Sequence, residues 1–139
     1  MKYVYQKQID GLETCPPEEY HSKTCNCFRW VFEKMDDERN FLAQAEKNPK
    51  SLNDKTDLQK CENYALSFHD TIENSQAHFI KLTKRFKNIK KLLGTHIAQG
   101  TLRKKDGVGG QIERNGHFNF HHTEESNFNK RFKIIRTLQ

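Results

Sequence analysis

From Leu58 onward the apolar positions fall at Leu58, Cys61, Ala65, Phe68, Ile72, Ser75, Phe79, Leu82, Phe86, Ile89 and Leu93. The steps alternate three and four without a slip, and only Ser75 is polar. That spacing places one side chain after another on a single helical face and predicts a heptad-patterned helix over 57–93. Both ends carry signals. Thr56 with Gln59 fits a capping box, and Gly94 fits the residue just past a helix C-terminus. A continuous helix of that length would run about 55 Å, which is long for a small domain. The expectation is therefore either a protruding helix or a hairpin broken near Asn74–Ser75.

The segment from Phe28 to Lys47 also reads as helical, with Phe28, Val31, Phe32, Met35, Leu42 and Ala45 on one face and Asn48–Pro49 as the stop. Residues 1–8 read as a short strand, and the Pro- and Cys-bearing stretch 9–26 as irregular. After Gly94 the period shortens. Residues 95–103, 108–114, 116–122 and 130–138 read as strands, with turns signalled at Asp106–Gly107 and Asn115–Gly116. The fold class expected is α+β: an N-terminal strand and helices packed on a C-terminal antiparallel sheet of three to four strands. One domain spans 1–139, divided into a strand and irregular segment (1–27), a helical segment (28–93) and a sheet (94–139). At the level of topology alone this order resembles the RelE-like mRNA interferases, although no motif of that family can be laid onto the chain.

Charge changes the picture more than size does. Residues 1–80 hold ten Lys/Arg and fourteen Asp/Glu, a net of −4, whereas 81–139 hold fourteen and four, a net of +10. A split of this kind points to a polyanionic partner for the second half. Lys81, Lys84, Lys87 and Lys91 form a stripe beside the apolar seam, and Arg103, Lys104, Lys105 and Lys133 extend the basic region, so these residues are the candidate nucleic-acid contacts. No stretch of 18 apolar residues or secretory leader is present, so a soluble, cytoplasmic chain without membrane contact is expected.

Three constellations bear chemistry. Alternation in 116–122 sets His117, Asn119 and His121 on one face, with His96 nearby. His117, His121 and Arg131 form the catalytic set expected of a metal-independent ribonuclease or toxin-like protein, in which histidine moves protons and cations hold the phosphorane charge. Cys15, His21, Cys25 and Cys27 are the candidate zinc ligands, although their spacing lacks the paired C-x2-C form and free thiols are favoured. The glycines of 107–110 precede no helix and are read as turn residues. No motif requires a cofactor. The leading expectation is thus nucleic-acid binding. The alternative is an interaction or assembly module in which helix 57–93 pairs with another protein or a second copy of the chain.

Overall fold

The computed structural model describes residues 1–138 and shows an α+β fold. Its elements are α1 (Gln6–Ile9), β1 (Asn26–Val31), α2 (Gln44–Lys47), α3 (Asp57–Asn63), β2 (Leu66–His69), α4 (Ile72–Arg85), α5 (Ile89–Leu93), β3 (His96–Thr101), β4 (Gly107–Gly109), β5 (His117–His122), α6 (Phe128–Arg131) and β6 (Lys133–Thr137). The six strands form one antiparallel sheet in the order β4-β5-β2-β1-β3-β6. No described helix is long and apolar enough to cross a membrane.

This architecture corrects the expected one in four places. The helix expected over 28–47 is instead the central strand β1 followed by short helical turns. Cys27 through Phe32 are an unbroken apolar and aromatic run apart from Arg29. A strand buried on both faces reads as such a run and not as an alternation. Cys27 and Val31 enter one core, while Phe28 and Trp30 enter the other.

The single helix over 57–93 is absent as well. Its ends were read correctly: Thr56 and Gln59 make both hydrogen bonds of the capping box, and Gly94 follows the last helical turn with a positive φ. Between those ends the chain turns at Tyr64–Ala65 and runs extended as β2, paired with β5 from Leu66↔Phe120 to His69↔His117. Thr71 then caps a new helix by accepting from the Asn74 N–H. The three-four spacing selected some buried positions, since Cys61, Phe68, Ser75 and Phe79 are shielded from water while Leu58 and Phe86 are exposed. The buried four are carried by α3, β2 and α4 in turn, so the seam is not one surface that a partner helix could grip. Ser75, the fault in the seam, is fully buried and accepts a hydrogen bond from Trp30 Nε1 at 2.9 Å.

The C-terminal strands do not form a sheet of their own in sequence order. β3 pairs with β1 and β6, and β5 pairs with β2 and β4, so the turn at Asp106–Gly107 carries the chain across the sheet and not around a hairpin. The Asn115–Gly116 turn does close a hairpin, β4–β5, with Gly116 at φ 87°. At the N-terminus, Tyr3 makes a lone bridge to Thr123 and the chain then becomes helical. The order of elements behind the interferase resemblance is therefore not the order of this chain.

Two cores sandwich the sheet. Phe68, Phe118, Phe120, Phe128 and Phe132 dominate one. Phe28, Phe79, Ile89, Ile97 and Leu138 fill the other, beneath α4 and α5. The register shows where the sheet weakens. β1 and β3 share six paired positions and β2 and β5 share four, but β1 and β2 share only Phe28↔His69. The sheet thus consists of two three-stranded halves that part between β1 and β2.

Candidate functional site

A cleft of about 260 Å³ opens where the halves part. β1 contributes Arg29 and Trp30, β2 contributes Ser67 and His69, and β5 contributes His117 and Asn119. Lys47 from α2, Glu62 from α3 and Glu113 from the β4–β5 turn complete the chemically active lining. Strand alternation explains the selection on β2 and β5, whereas Arg29 lies on the Phe68 side of β1 and reaches the gap between the strands at the Ser67 carbonyl. Leu66, Phe68, Phe118 and Phe120 point into the core, so Ser67, His69, His117 and Asn119 point the other way.

Ser67, His117 and Glu113 form a relay. His117 Nδ1 lies 3.0 Å from Glu113 Oε1, and His117 Nε2 lies 2.9 Å from Ser67 Oγ. A carboxylate only accepts, so Nδ1–H donates to Glu113, and Nε2 is left as the acceptor for the Ser67 hydroxyl. This is the tautomer a general base requires, held in place by an acidic residue behind it. The hairpin builds this contact. Glu113 N–H donates to the His117 carbonyl, and Gly116 N–H to the Glu113 carbonyl, bringing residues 113 and 117 face to face.

Two further histidines adjoin His117. His69 Nε2 and His78 Nδ1 lie 2.8 Å apart, and both rings pack against Trp30. His69 Nδ1 is buried without a partner. The proton therefore belongs on His69 Nε2, which donates it to His78 Nδ1, because a lone pair is cheaper to bury unpartnered than an N–H. Burial holds His69 down to about 3, helped by the neighbouring His78 and His117. His78 is lowered for the same leading reason. Both are neutral at neutral pH.

The opposite wall is cationic without a counter-ion. Arg29 is buried and donates to the carbonyls of Asn40 at 2.6 Å and Ser67 at 3.0 Å, with a longer contact to Leu42 at 3.4 Å. Its guanidinium lies over the rings of Phe41 and Phe68, and no carboxylate pairs with it among the described ion pairs. Burial lowers its pKa to about 10. Lys47 donates to the Leu92 carbonyl, and burial together with the Arg29 and Arg39 charges lowers it to about 8. As a purely structural device, Arg29 ties β1 to β2 at the very place where the ladder fails. As a binding device, two desolvated cations lining one cleft gain from an anion there.

The sequence-derived residues fare unequally. His117 lies in the cleft, but His121 does not. It is buried beneath the N-terminal segment, with Nε2 at 3.5 Å from Cys61 Sγ, and burial lowers its pKa to about 4. Arg131 is held by Asp106 through contacts of 2.6 and 2.8 Å and belongs to the far side of the sheet. Neither Arg131 nor Lys133 is among the residues that line the cleft with His117. His96 pairs with Thr95 on β3 and stays outside the cluster.

Lys81, Lys84, Lys87 and Lys91 are exposed and free of the described ion pairs, and Lys81 lies beside His78. Arg103, Lys104 and Lys105 are exposed at the turn after β3, where Arg103 and Lys133 line a groove with Arg131. Cys15, His21, Cys25 and Cys27 do not converge. Cys15 is joined to Cys61 in a disulfide, which corrects the expectation of thiols at both positions, while Cys25 and Cys27 are free.

Arg29, Lys47, Ser67, His69, His78 and Glu113 were not identified from sequence. They come from five separate elements and turns. Arg29, a lone charge in an apolar run, was the one visible signal. Comparison with family models, with curated proteins and with solved structures finds no match to this chain.

Proposed function

We propose that this chain binds RNA and cleaves it without a metal, in the cleft between β1 and β2. The observation that supports the reading most is the pairing of an oriented base, His117, with two cations that have no counter-ion, Arg29 and Lys47, in one small cleft. The basic stripe adds to it, since Lys81 flanks His78 and Lys84, Lys87 and Lys91 continue along α4 and α5.

In this mechanism a ribose 2′-hydroxyl takes the place of the Ser67 hydroxyl at His117 Nε2. His117 removes its proton, and the oxygen attacks the adjacent phosphorus. Arg29 and Lys47 stabilise the charge that develops on the phosphorane oxygens. Lys47, with its lowered pKa, gives a proton to the departing 5′-oxygen. The products are a 2′,3′-cyclic phosphate and a 5′-hydroxyl. The cleft volume suits one sugar-phosphate unit, which leaves the lysine stripe to hold the flanking strand.

The test is cleavage of single-stranded RNA in excess chelator, together with filter binding against salt. The expected result is cleavage that His117→Ala and Lys47→Gln abolish, and binding that weakens steeply with salt. Absence of binding near 50 mM salt would remove the reading. A tight dimer indifferent to nucleic acid would favour the assembly alternative instead.

A further inference from the structure

A second cluster lies outside the cleft. Cys15 comes from the N-terminal segment, Cys61 from α3 and His121 from β5. His121 Nε2 lies 3.5 Å from Cys61 Sγ and 3.9 Å from Cys15 Sγ. Among the described residues these three are the one group of histidine, cysteine and carboxylate side chains close enough to share an ion. Cys61 and His121 are buried, and Cys15 is half-buried at the mouth. The Tyr3 and Tyr20 rings flank the imidazole and fix its position.

We propose that Cys15, Cys61 and His121 form a zinc site when their disulfide is reduced, so that a covalent bond and a metal are alternative closures of the same link. The geometry supports it. With Zn–S near 2.3 Å and Zn–N near 2.0–2.1 Å, tetrahedral bonding sets sulfur and nitrogen about 3.5 Å apart and two sulfurs about 3.8 Å apart. The Cys61 sulfur already stands at that distance from Nε2 and the Cys15 sulfur, at 3.9 Å, slightly beyond it, so the main movement is the parting of the two sulfurs. Cys15 sits in a loop at the surface and can supply that movement.

The chemistry balances. An external dithiol gives two electrons and two protons to the disulfide and leaves as its own disulfide. Zinc then displaces both thiol protons to solvent and takes two thiolates and the lone pair of a neutral imidazole. The resulting centre carries no net charge, which suits a buried position. Its fourth position, on the Cys15 side, remains for water or an exogenous ligand.

The test uses the whole chain, reduced with a phosphine, freed of metal and titrated with Zn²⁺ by calorimetry and with Co²⁺ by absorption. One metal per chain with a thiolate-to-cobalt charge-transfer band is expected in the reduced protein, and none in the oxidised protein. Cys15→Ser and His121→Gln should each weaken binding at least tenfold, whereas the double variant Cys25→Ser/Cys27→Ser should leave it unchanged. Because His121 is buried, the surface variant Cys15→Ser keeps the test valid if His121→Gln fails to fold. A reduced chain that takes up no zinc, or uptake that survives Cys15→Ser but is lost with Cys25 and Cys27, would overturn the proposal.

Discussion

Replacing Arg131 by alanine separates a structural cation from a functional one. Asp106 has no exposed surface. Its carboxylate accepts from Arg131 at 2.6 and 2.8 Å and from the Arg103 backbone N–H at 2.6 Å. The same guanidinium donates to the carbonyls of Ser126 at 2.7 Å and Thr101 at 2.6 Å, tying the β3 end to α6. The arginine side chain is only 17% exposed, so solvent screening is weak. Its removal leaves a buried carboxylate with one remaining donor. Breaking such a pair from one side costs about 3–5 kcal/mol, against about 0–1 kcal/mol for a surface pair. With a urea m-value of about 2 kcal/mol/M, the unfolding midpoint should fall by about 2 M, followed by far-UV circular dichroism. Adding Asp106→Asn should return part of the loss, because the orphaned charge then disappears. A loss below about 1 kcal/mol would refute the burial argument. Full stability with RNA binding abolished would return Arg131 to the functional role its sequence position first suggested.

Five other outcomes can be checked. Phe79 is fully buried under α4, so Phe79→Ala should cost about 3–5 kcal/mol in the same denaturation assay. Ser75→Ala strands the indole N–H of Trp30, the only tryptophan, at a cost of about 1–3 kcal/mol, and a changed fluorescence spectrum should accompany the loss. His69, His121 and His122 have pKa values lowered by burial to about 3, 4 and 3. The unfolded chain, with histidines near 6.5, therefore binds more protons between roughly pH 3 and 6.5. Stability should be fully present above that window and fall as pH drops through it, by about 2 kcal/mol per histidine at pH 5. Thermal melts with no loss between pH 7 and pH 5 would contradict this. Cleavage, if His117 and Lys47 act as proposed, should decline on the alkaline side as Lys47 loses its proton near pH 8. Ser67→Ala should leave kcat intact, because the substrate hydroxyl replaces that of Ser67. Complete inactivation would instead make Ser67 the nucleophile.

Local chemistry was legible in the sequence. The capping box at Thr56–Gln59, the helix stop at Gly94, the Asn115–Gly116 turn and the strands at 96–101, 117–122 and 133–137 follow from residues within a few positions of one another. The exposure of the lysines on and between α4 and α5 was legible as well. Part of the burial was legible too, for Cys61, Ala65, Phe68 and Phe79 of the seam proved buried. What failed was the assignment of a period to it. A run of four residues such as Leu66–His69 is too short to distinguish one period from the other, so periodicity cannot choose between them.

Tertiary pairing chose: β2 exists because β5 offers it a ladder, and β1 is a strand because β2 and β3 lie on either side of it. The cleft was out of reach for the same reason. Glu113 meets His117 through a turn, but Ser67 meets His117 across 50 residues, and Arg29 bonds to Ser67 across 38. Cys15 joins Cys61 across 46. Neighbours along the chain fix propensity and capping, because those energies act within a turn or two. Which distant strands lie side by side is decided by the burial of a shared core, and the sequence on its own does not state the pairing.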